Sequence, residues 1–462
     1  MNNRPPLRKI TSDQVSLEMH RLIPGGSHTY SKGDDQFPAN APKVMTRAKG
    51  AYCWDFDNVE YLDWAMGNRV MSLGHANDYV DEKVFEAMRR GANFTRPGIL
   101  EYELASYLVD LLPCAEMVKF GKNGSDVVTA AIKLARAYTG RPYVLVCGSH
   151  PFFSIHDWFI GSTVMNAGTL ESERRFTIKF IYGDCTSVEA AFDAYKGQIA
   201  ALILEPVKND SPYFDPHPAD LTKDGMSRGG NNTGNFLRYL REKTLEEGTV
   251  LIFDEMIAGM RFGSRGAHHH YGIYPDLATY GKAISNGYSC SVLAGHSNIM
   301  DLGGITHDRE RVFLLSQTHG SETVGLAATL ATMQYYADHN VDEHIWAIGH
   351  MLKTKVSNLI IKHKLAQNIS IIGFEANPQI LCFDEEGSFS SEINTLLHQF
   401  LIEERIMIPW ITITYAHGVV EVERTIQAMD RAFSKLKEAI TTRSVKQLLV
   451  GSPQKPVFRK FN

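Results

Sequence analysis

Two short apolar runs, 199–204 (IAALIL) and 249–253 (TVLIF), constrain the fold of this chain more than anything else in it. A strand with one face in water alternates apolar and polar residues. A run that is apolar at nearly every position has to be covered on both faces, as strands of a parallel sheet between two helix layers are. The same rhythm extends from about 115 to 320. Strands are expected at 117–122, 143–147, 176–182, 291–294 and 312–315, with helices at 125–138 and 236–246. That alternation predicts an α/β fold with a mostly parallel central sheet and helices on both faces. Short strands are expected within 51–63. Helices at 322–337 and 341–364 precede two short strands and a last helix at 421–439, a pattern that predicts a smaller α+β unit. The expected division is 1–70 as a segment contributing to the small unit, 71–325 as the large unit, and 326–462 as the rest of the small one.

Composition narrows the function classes. A net charge of −5 gives no sign of a nucleic-acid or anionic-membrane partner, and no apolar run is long enough to span a bilayer. The polar start MNNRPPLRKITSDQ has no apolar middle of a secretion signal. Six scattered cysteines form no CxxC pair, so metal ribbons and redox pairs lose support and a cytoplasmic location is expected. Three adjacent histidines, His268, His269 and His270, cannot converge on one ion from a regular element, and no metal site is expected.

The chemistry starts where the apolar runs stop. Each delivers an acid, Glu205 or Asp254, and ligands of an open parallel sheet bind at the carboxyl ends of its strands. Lys282 follows after a Gly- and His-rich segment. A lysine amine of this kind holds an aldehyde cofactor as a Schiff base, and a strand-borne carboxylate keeps a pyridine nitrogen protonated, a pairing suited to pyridoxal 5'-phosphate. Standing alone, a lysine is usually a solvated surface residue. Asp254 and Glu255 point to opposite faces of a strand, and spacing does not choose between them. Gly124 and Ser125 open a helix, where exposed amides suit a phosphate dianion, although an ordinary capped helix reads the same way. Phe152 follows another strand and offers a ring either to a flat cofactor or to the core. Thr318 sits in a Gly-containing turn, with a hydroxyl suited to a phosphate oxygen.

Together these pieces resemble the class III, fold-type-I pyridoxal-phosphate aminotransferases, in the branch of glutamate-1-semialdehyde 2,1-aminomutase. The resemblance runs from about Arg21 to Ala432. It is carried by PGG at Pro24, GAYCWDFDNVEYLDW, SLGH ending at His75, NGSDVVTAAIKLARAYTGR, LEPV at Glu205, LIFDEMIAGMRF, PDLATYGKAISNG and QTHGSET. It implies that Lys282 carries the cofactor and that Asp254 partners the pyridine nitrogen. Gly124 and Ser125 match the phosphate turn, Phe152 covers one ring face, and Ile257 lies near the other. Thr318 matches a threonine that reaches the phosphate held by a neighbouring subunit, which implies a homodimer with shared active sites. The implied activity moves an amino group between a small-molecule amine donor and a carbonyl acceptor.

Departures bear on the substrate. Lys32 is nearest to the arginine that follows PGG in the aminomutases, Gly67-Asn68-Arg69 replaces Ser-Trp-Gly, Glu322-Thr323 replaces Asn-Pro, and a glutamate is missing near Ile413. They favour a transaminase over the intramolecular mutase, the main alternative. Lys32, Arg69 and Arg261 are the candidates for an anionic group on the substrate. Arg69 and the polar segment 208–234 suggest a sugar-like or phosphorylated substrate. Racemase and decarboxylase chemistry, and a cofactor-free binding protein, are further alternatives. A dinucleotide-binding oxidoreductase is weaker, since no GxGxxG follows the first strand of the α/β region.

Overall fold

The computed structural model describes residues 10–208, 211–213 and 235–461. Strands β1 (Met45–Lys49), β2 (Tyr52–Asp55) and β3 (Glu60–Asp63) form an antiparallel meander near the amino terminus. Among the described residues, seven further strands build the central sheet: β4 (Met117–Gly121), β5 (Tyr143–Cys147), β6 (Thr177–Phe180), β7 (Ile199–Leu204), β8 (Val250–Asp254), β9 (Leu277–Tyr280) and β10 (Ser291–Gly295). Their order is β4-β10-β9-β8-β7-β5-β6, with β10 antiparallel to both neighbours and the other described pairings parallel. This is the expected mostly parallel α/β sheet. Every residue of β7 and β8 is buried, which is why these two runs carry no alternation. Burying a Leu or Ile side chain contributes about 2 kcal/mol of transfer free energy, so the central strands anchor the sheet. At the edge, β6 buries only Thr177 and Phe180.

Helix α1 (Gly124–Thr139) packs on this sheet through Val127, Val128, Ala131, Ile132, Leu134 and Ala135. It ends at Gly140, whose φ of 68° is the left-handed conformation that a C-terminal glycine takes without strain. Beyond the sheet come α2 (Thr323–His339) and α3 (Val341–Lys362). The hairpin of β11 (Ile369–Ile372) with β12 (Gln379–Cys382), and α4 (Ser391–Glu403), follow. Strand β13 (Ile406–Met407) and helix α5 (Val419–Thr441) complete the sequence of longer elements. Strand β13 pairs in parallel with β3, so the amino-terminal meander and the carboxyl-terminal region share one sheet.

The strand expected at 312–315 does not form. Val312 N–H donates to Leu302 O, Lys133 Nζ takes Phe313 O at 3.2 Å, and Leu315 turns to a φ of 45°, which breaks an extended run.

Candidate active site

The sheet brings several chain segments to one edge. Because β4, β5, β7, β8 and β9 run the same way, their carboxyl ends lie side by side, and the antiparallel β10 begins at that edge. A cavity of about 430 Å³ opens there, a size suited to a small cofactor. Lys122 to Ser125 line it after β4, Phe152 and Phe153 after β5, and Glu205 after β7. Asp254, Met256 and Ile257 follow from β8, Lys282 from β9, and Gly287 to Cys290 precede β10. Thus Gly124, Ser125, Phe152, Asp254, Ile257 and Lys282 meet in one place.

Asp254 and Glu255 divide as strand geometry requires. Asp254 is 3% exposed; its Oδ1 accepts Met256 N–H at 3.0 Å and the Thr279 hydroxyl at 3.4 Å. Burial raises its carboxyl to about 7, Glu205 adds to the rise, and Lys282 and the two hydrogen bonds oppose it. Glu255 turns away from the cavity to accept Ala267 N–H, His268 N–H and the His268 ring. Lys282 lies just past β9 with a φ of 50°. Burial lowers its ammonium; Glu205 and Asp254 work against that shift, and Arg69 and Arg261 work with it.

Ser125 is not the helix cap. Helix α1 starts one residue earlier with Asn123 as N-cap, and the Ser125 hydroxyl accepts Ile155 N–H at 3.1 Å. The turn is close-packed: a Cβ on Gly124 would meet Met256 Sδ at 2.8 Å, and one on Gly281 would meet the same sulfur at 2.6 Å. Met256, absent from the sequence-based candidates, therefore fills the space between the helix start and the Lys282 turn. Two other contributors carried no sequence signal. His150 Nδ1 accepts Glu205 N–H at 3.0 Å, which fixes the ring's tautomer, and burial lowers this imidazole to about 3. Asn286 ties the Lys282 turn to the segment after β3, accepting Ser72 N–H and Leu73 N–H and donating to Gly74 O.

The basic candidates separate. Arg261 is 1% exposed and outside the cavity lining; its Nη1 and Nη2 donate to Ile413 O at 3.0 Å and Met71 O at 2.8 Å. Lys32 is exposed on the short turn Tyr30–Lys32, next to Thr29, which does line the cavity. Arg69 ends the left-handed turn Met66–Arg69, whose four φ values are 49, 59, 76 and 65°. Only one of the four is glycine, and each of the others costs about 1–2 kcal/mol there. Its guanidinium lies 5.3 Å from the Trp410 ring centre, and its buried Nε has no partner among the described residues. Burial lowers Arg69 to about 10, with Glu205 opposing and Arg261 adding. Thr318 is exposed and outside this cavity, its carbonyl accepting from Asn93 Nδ2 at 2.9 Å. The segment 208–234 lies almost wholly outside the described residues. The three histidines face different neighbours: His268 meets Glu255, His269 meets Arg265, and His270 lies against Trp346.

Residues 36–376 match the profile of the family described as "Aminotransferase class-III". The chain belongs to that family. It is an enzyme of the pyridoxal-phosphate-dependent aminotransferase class. The protein named glutamate-1-semialdehyde 2,1-aminomutase 2 of Staphylococcus haemolyticus is 28% identical over 444 residues, covering 90% of this chain and 96% of that protein. The FumI protein of Sphingopyxis sp. MTA144, solved in its PLP internal aldimine form, is 26% identical and superimposes with a TM-score of 0.81, covering 93% of this chain and 97% of that one. A glutamate-1-semialdehyde aminomutase from Pseudomonas aeruginosa PAO1, 21% identical, shares the fold with a TM-score of 0.75 over 92% of this chain and 94% of its own.

Proposed function

We propose that the cavity holds pyridoxal 5'-phosphate and that the protein transfers an amino group from an amine donor to a carbonyl acceptor. The observation that carries this is the convergence of the Lys282 amine, the Asp254 carboxylate and the start of α1 on one cavity. The residues fit the group. Glycine at 124 makes room for Met256 at the helix start, whose free amides suit a phosphate, and Ser125 keeps its hydroxyl hydrogen to donate. Phe152, 42% exposed, offers a ring on one side, and Met256 and Ile257 offer apolar surface on the other.

When bound, the cofactor supplies a carbonyl that exchanges with amines and a ring that draws electrons from the reacting carbon. Lys282 is the covalent anchor. Its freed amine would take the proton from the donor's α-carbon and pass it to the cofactor's aldehyde carbon, and would carry one the opposite way for the acceptor. Burial lowers its affinity for protons, the direction that favours a free amine. Asp254 holds a proton on the pyridine nitrogen. Arg69, next to the lining residue Val70 and with an Nε that lacks a partner among the described residues, is our choice of the three basic candidates to receive an anionic group of the substrate.

The relatives' names favour a second reading, amine and carbonyl exchanged within one molecule. Single-turnover experiments separate the two. Enzyme in the pyridoxamine form, mixed with a keto acid, should yield one equivalent of amino acid per site. Isomerisation of a substrate without any acceptor supports the mutase instead.

We read the assembly as a homodimer in which Thr318 serves the partner's site. Its exposure supports this, as does a surface cavity shared by the exposed Tyr102 with Gln317, Gly320 and Ser321. The sheet that joins β3 to β13 supports counting the amino-terminal segment with the small carboxyl-terminal unit. The cysteines are free thiols and suit a reducing cytoplasm.

A further inference from the structure

The carboxyl-terminal segment places one ring, Phe458, against a residue that lines the cavity, Phe152. Beyond the helix Val445–Leu448, the tail runs back over the amino-terminal segment and is fastened at successive points. Val450 N–H donates to Gln399 Oε1 at 2.8 Å, and Gln454 N–H donates to the Thr395 hydroxyl at 2.9 Å. The Gln454 amide donates to Gln36 O at 2.6 Å and accepts from Asn394 Nδ2 at 2.9 Å. Lys455 N–H then donates to Asp35 O, Gln36 Nε2 donates to Lys455 O, and Arg459 forms an ion pair with Asp35. Chain ends stay ordered only when tied down in this way.

These ties deliver one ring to the site. Phe458, half-buried, stands with its ring centre 6.4 Å from that of Phe152, at an interplanar angle of 39°. Phe152 lines the cavity, and Phe159 meets it edge-on at 6.0 Å. Aromatic rings take up such tilted and edge-on contacts by preference, and a third ring enters the same arrangement readily.

We propose that the tail 454–461 completes the outer wall of the cavity and that Phe458 is a specificity-determining residue. Packed against Phe152, it extends that ring's apolar surface toward an apolar, planar group on the substrate. Arg459 is a positioning residue that holds the tail beside Phe152 through Asp35. The proposal rests on the reading of the cavity as the cofactor site.

The test uses cofactor-loaded full-length enzyme and two carbonyl-reactive probes, aminooxyacetate and O-benzylhydroxylamine. Both consume the visible band of bound cofactor, whatever the natural substrate. The quantity read is the ratio of their second-order rates, benzyl over acetate. Phe458→Ala should lower it about tenfold, the discrimination that an apolar contact of this size supplies. Phe458→Leu, which keeps an apolar side chain, should fall between. Arg459→Ala, which removes the ion pair nearest the ring but leaves the ring, should lower it in the same direction. A ratio that stays at the wild-type value or rises in Phe458→Ala overturns the proposal. Should that variant fail to fold, an unchanged ratio in both Phe458→Leu and Arg459→Ala overturns it as well. A wild-type protein that never takes up cofactor removes the reading beneath the proposal, a failure distinct from an unchanged ratio.

Discussion

Arg261 donates a hydrogen bond to the carbonyl of Ile413 across 3.0 Å, fastening the segment after β8 to the loop before α5. The same guanidinium holds Met71 O, and the Arg261 carbonyl accepts the Trp346 indole N–H at 2.8 Å. This side chain is a clamp between three parts of the chain. Arg261→Met strips two buried carbonyls of their donor and should cost about 2–6 kcal/mol of stability. Denaturant unfolding should register that loss, while cofactor uptake by the folded fraction persists. Unchanged stability with lost substrate binding would return Arg261 to the substrate site.

The neighbours of Lys282 set the pH at which apoprotein captures cofactor, because the amine must be unprotonated to react. Arg69 lowers the Lys282 ammonium and Glu205 raises it. Arg69→Met should therefore move the capture profile to higher pH, and Glu205→Gln to lower pH. The measurement is the rate at which the visible band grows, followed from about pH 6 to 10 in the three proteins. Shifts of the opposite sign would contradict the charge assignment.

Asp254 makes apoprotein stability depend on pH. Its carboxyl goes from an ordinary 3.8 to about 7 in the fold, with burial as the main cause. The folded state keeps a proton that the unfolded chain releases, so this contribution is full below about 4 and is lost as pH rises through about 7. Asp254→Asn should flatten that dependence relative to wild type in apoprotein melts at about pH 5 and 8. In the loaded enzyme the same variant should slow amino transfer about 100-fold or more. A variant with wild-type turnover would remove Asp254 from the chemistry.

Thr318 is assigned to the partner's site, which makes complementation the test. Mixed dimers of Lys282→Ala and Thr318→Ala chains should hold one site with both residues and one with neither. They should bind cofactor more tightly than the Thr318→Ala dimer binds it. Equal affinity would place Thr318 outside the shared site.

Much of this was legible in the sequence, because the signals are local. β7 and β8 read as buried strands from their own residues, and a sheet whose strands run together brings the acids and glycines at their ends to one edge. Spacing does not divide Asp254 from Glu255; the resemblance favours Asp254, and the physical division is that Glu255 meets His268, a contact that folding creates. Arg261 looked like a substrate arginine because nothing nearby in sequence announces Ile413 or Met71. Residues 312–315 have the apolar content of a strand, yet Leu315 turns and no ladder partner reaches them among the described residues. The ties of Gln454, Lys455 and Arg459 to Asp35 and Gln36 span nearly the whole chain, a separation that no local pattern encodes.

The proposed chemistry stands on a covalent bond to one side chain. Loaded enzyme should be reduced with borohydride, digested and mapped by mass spectrometry. The phosphopyridoxyl group is expected on the peptide containing Lys282, and Lys282→Ala should carry none. Finding it on Lys122, which also lines the cavity, or on any other residue would contradict the assignment of this site.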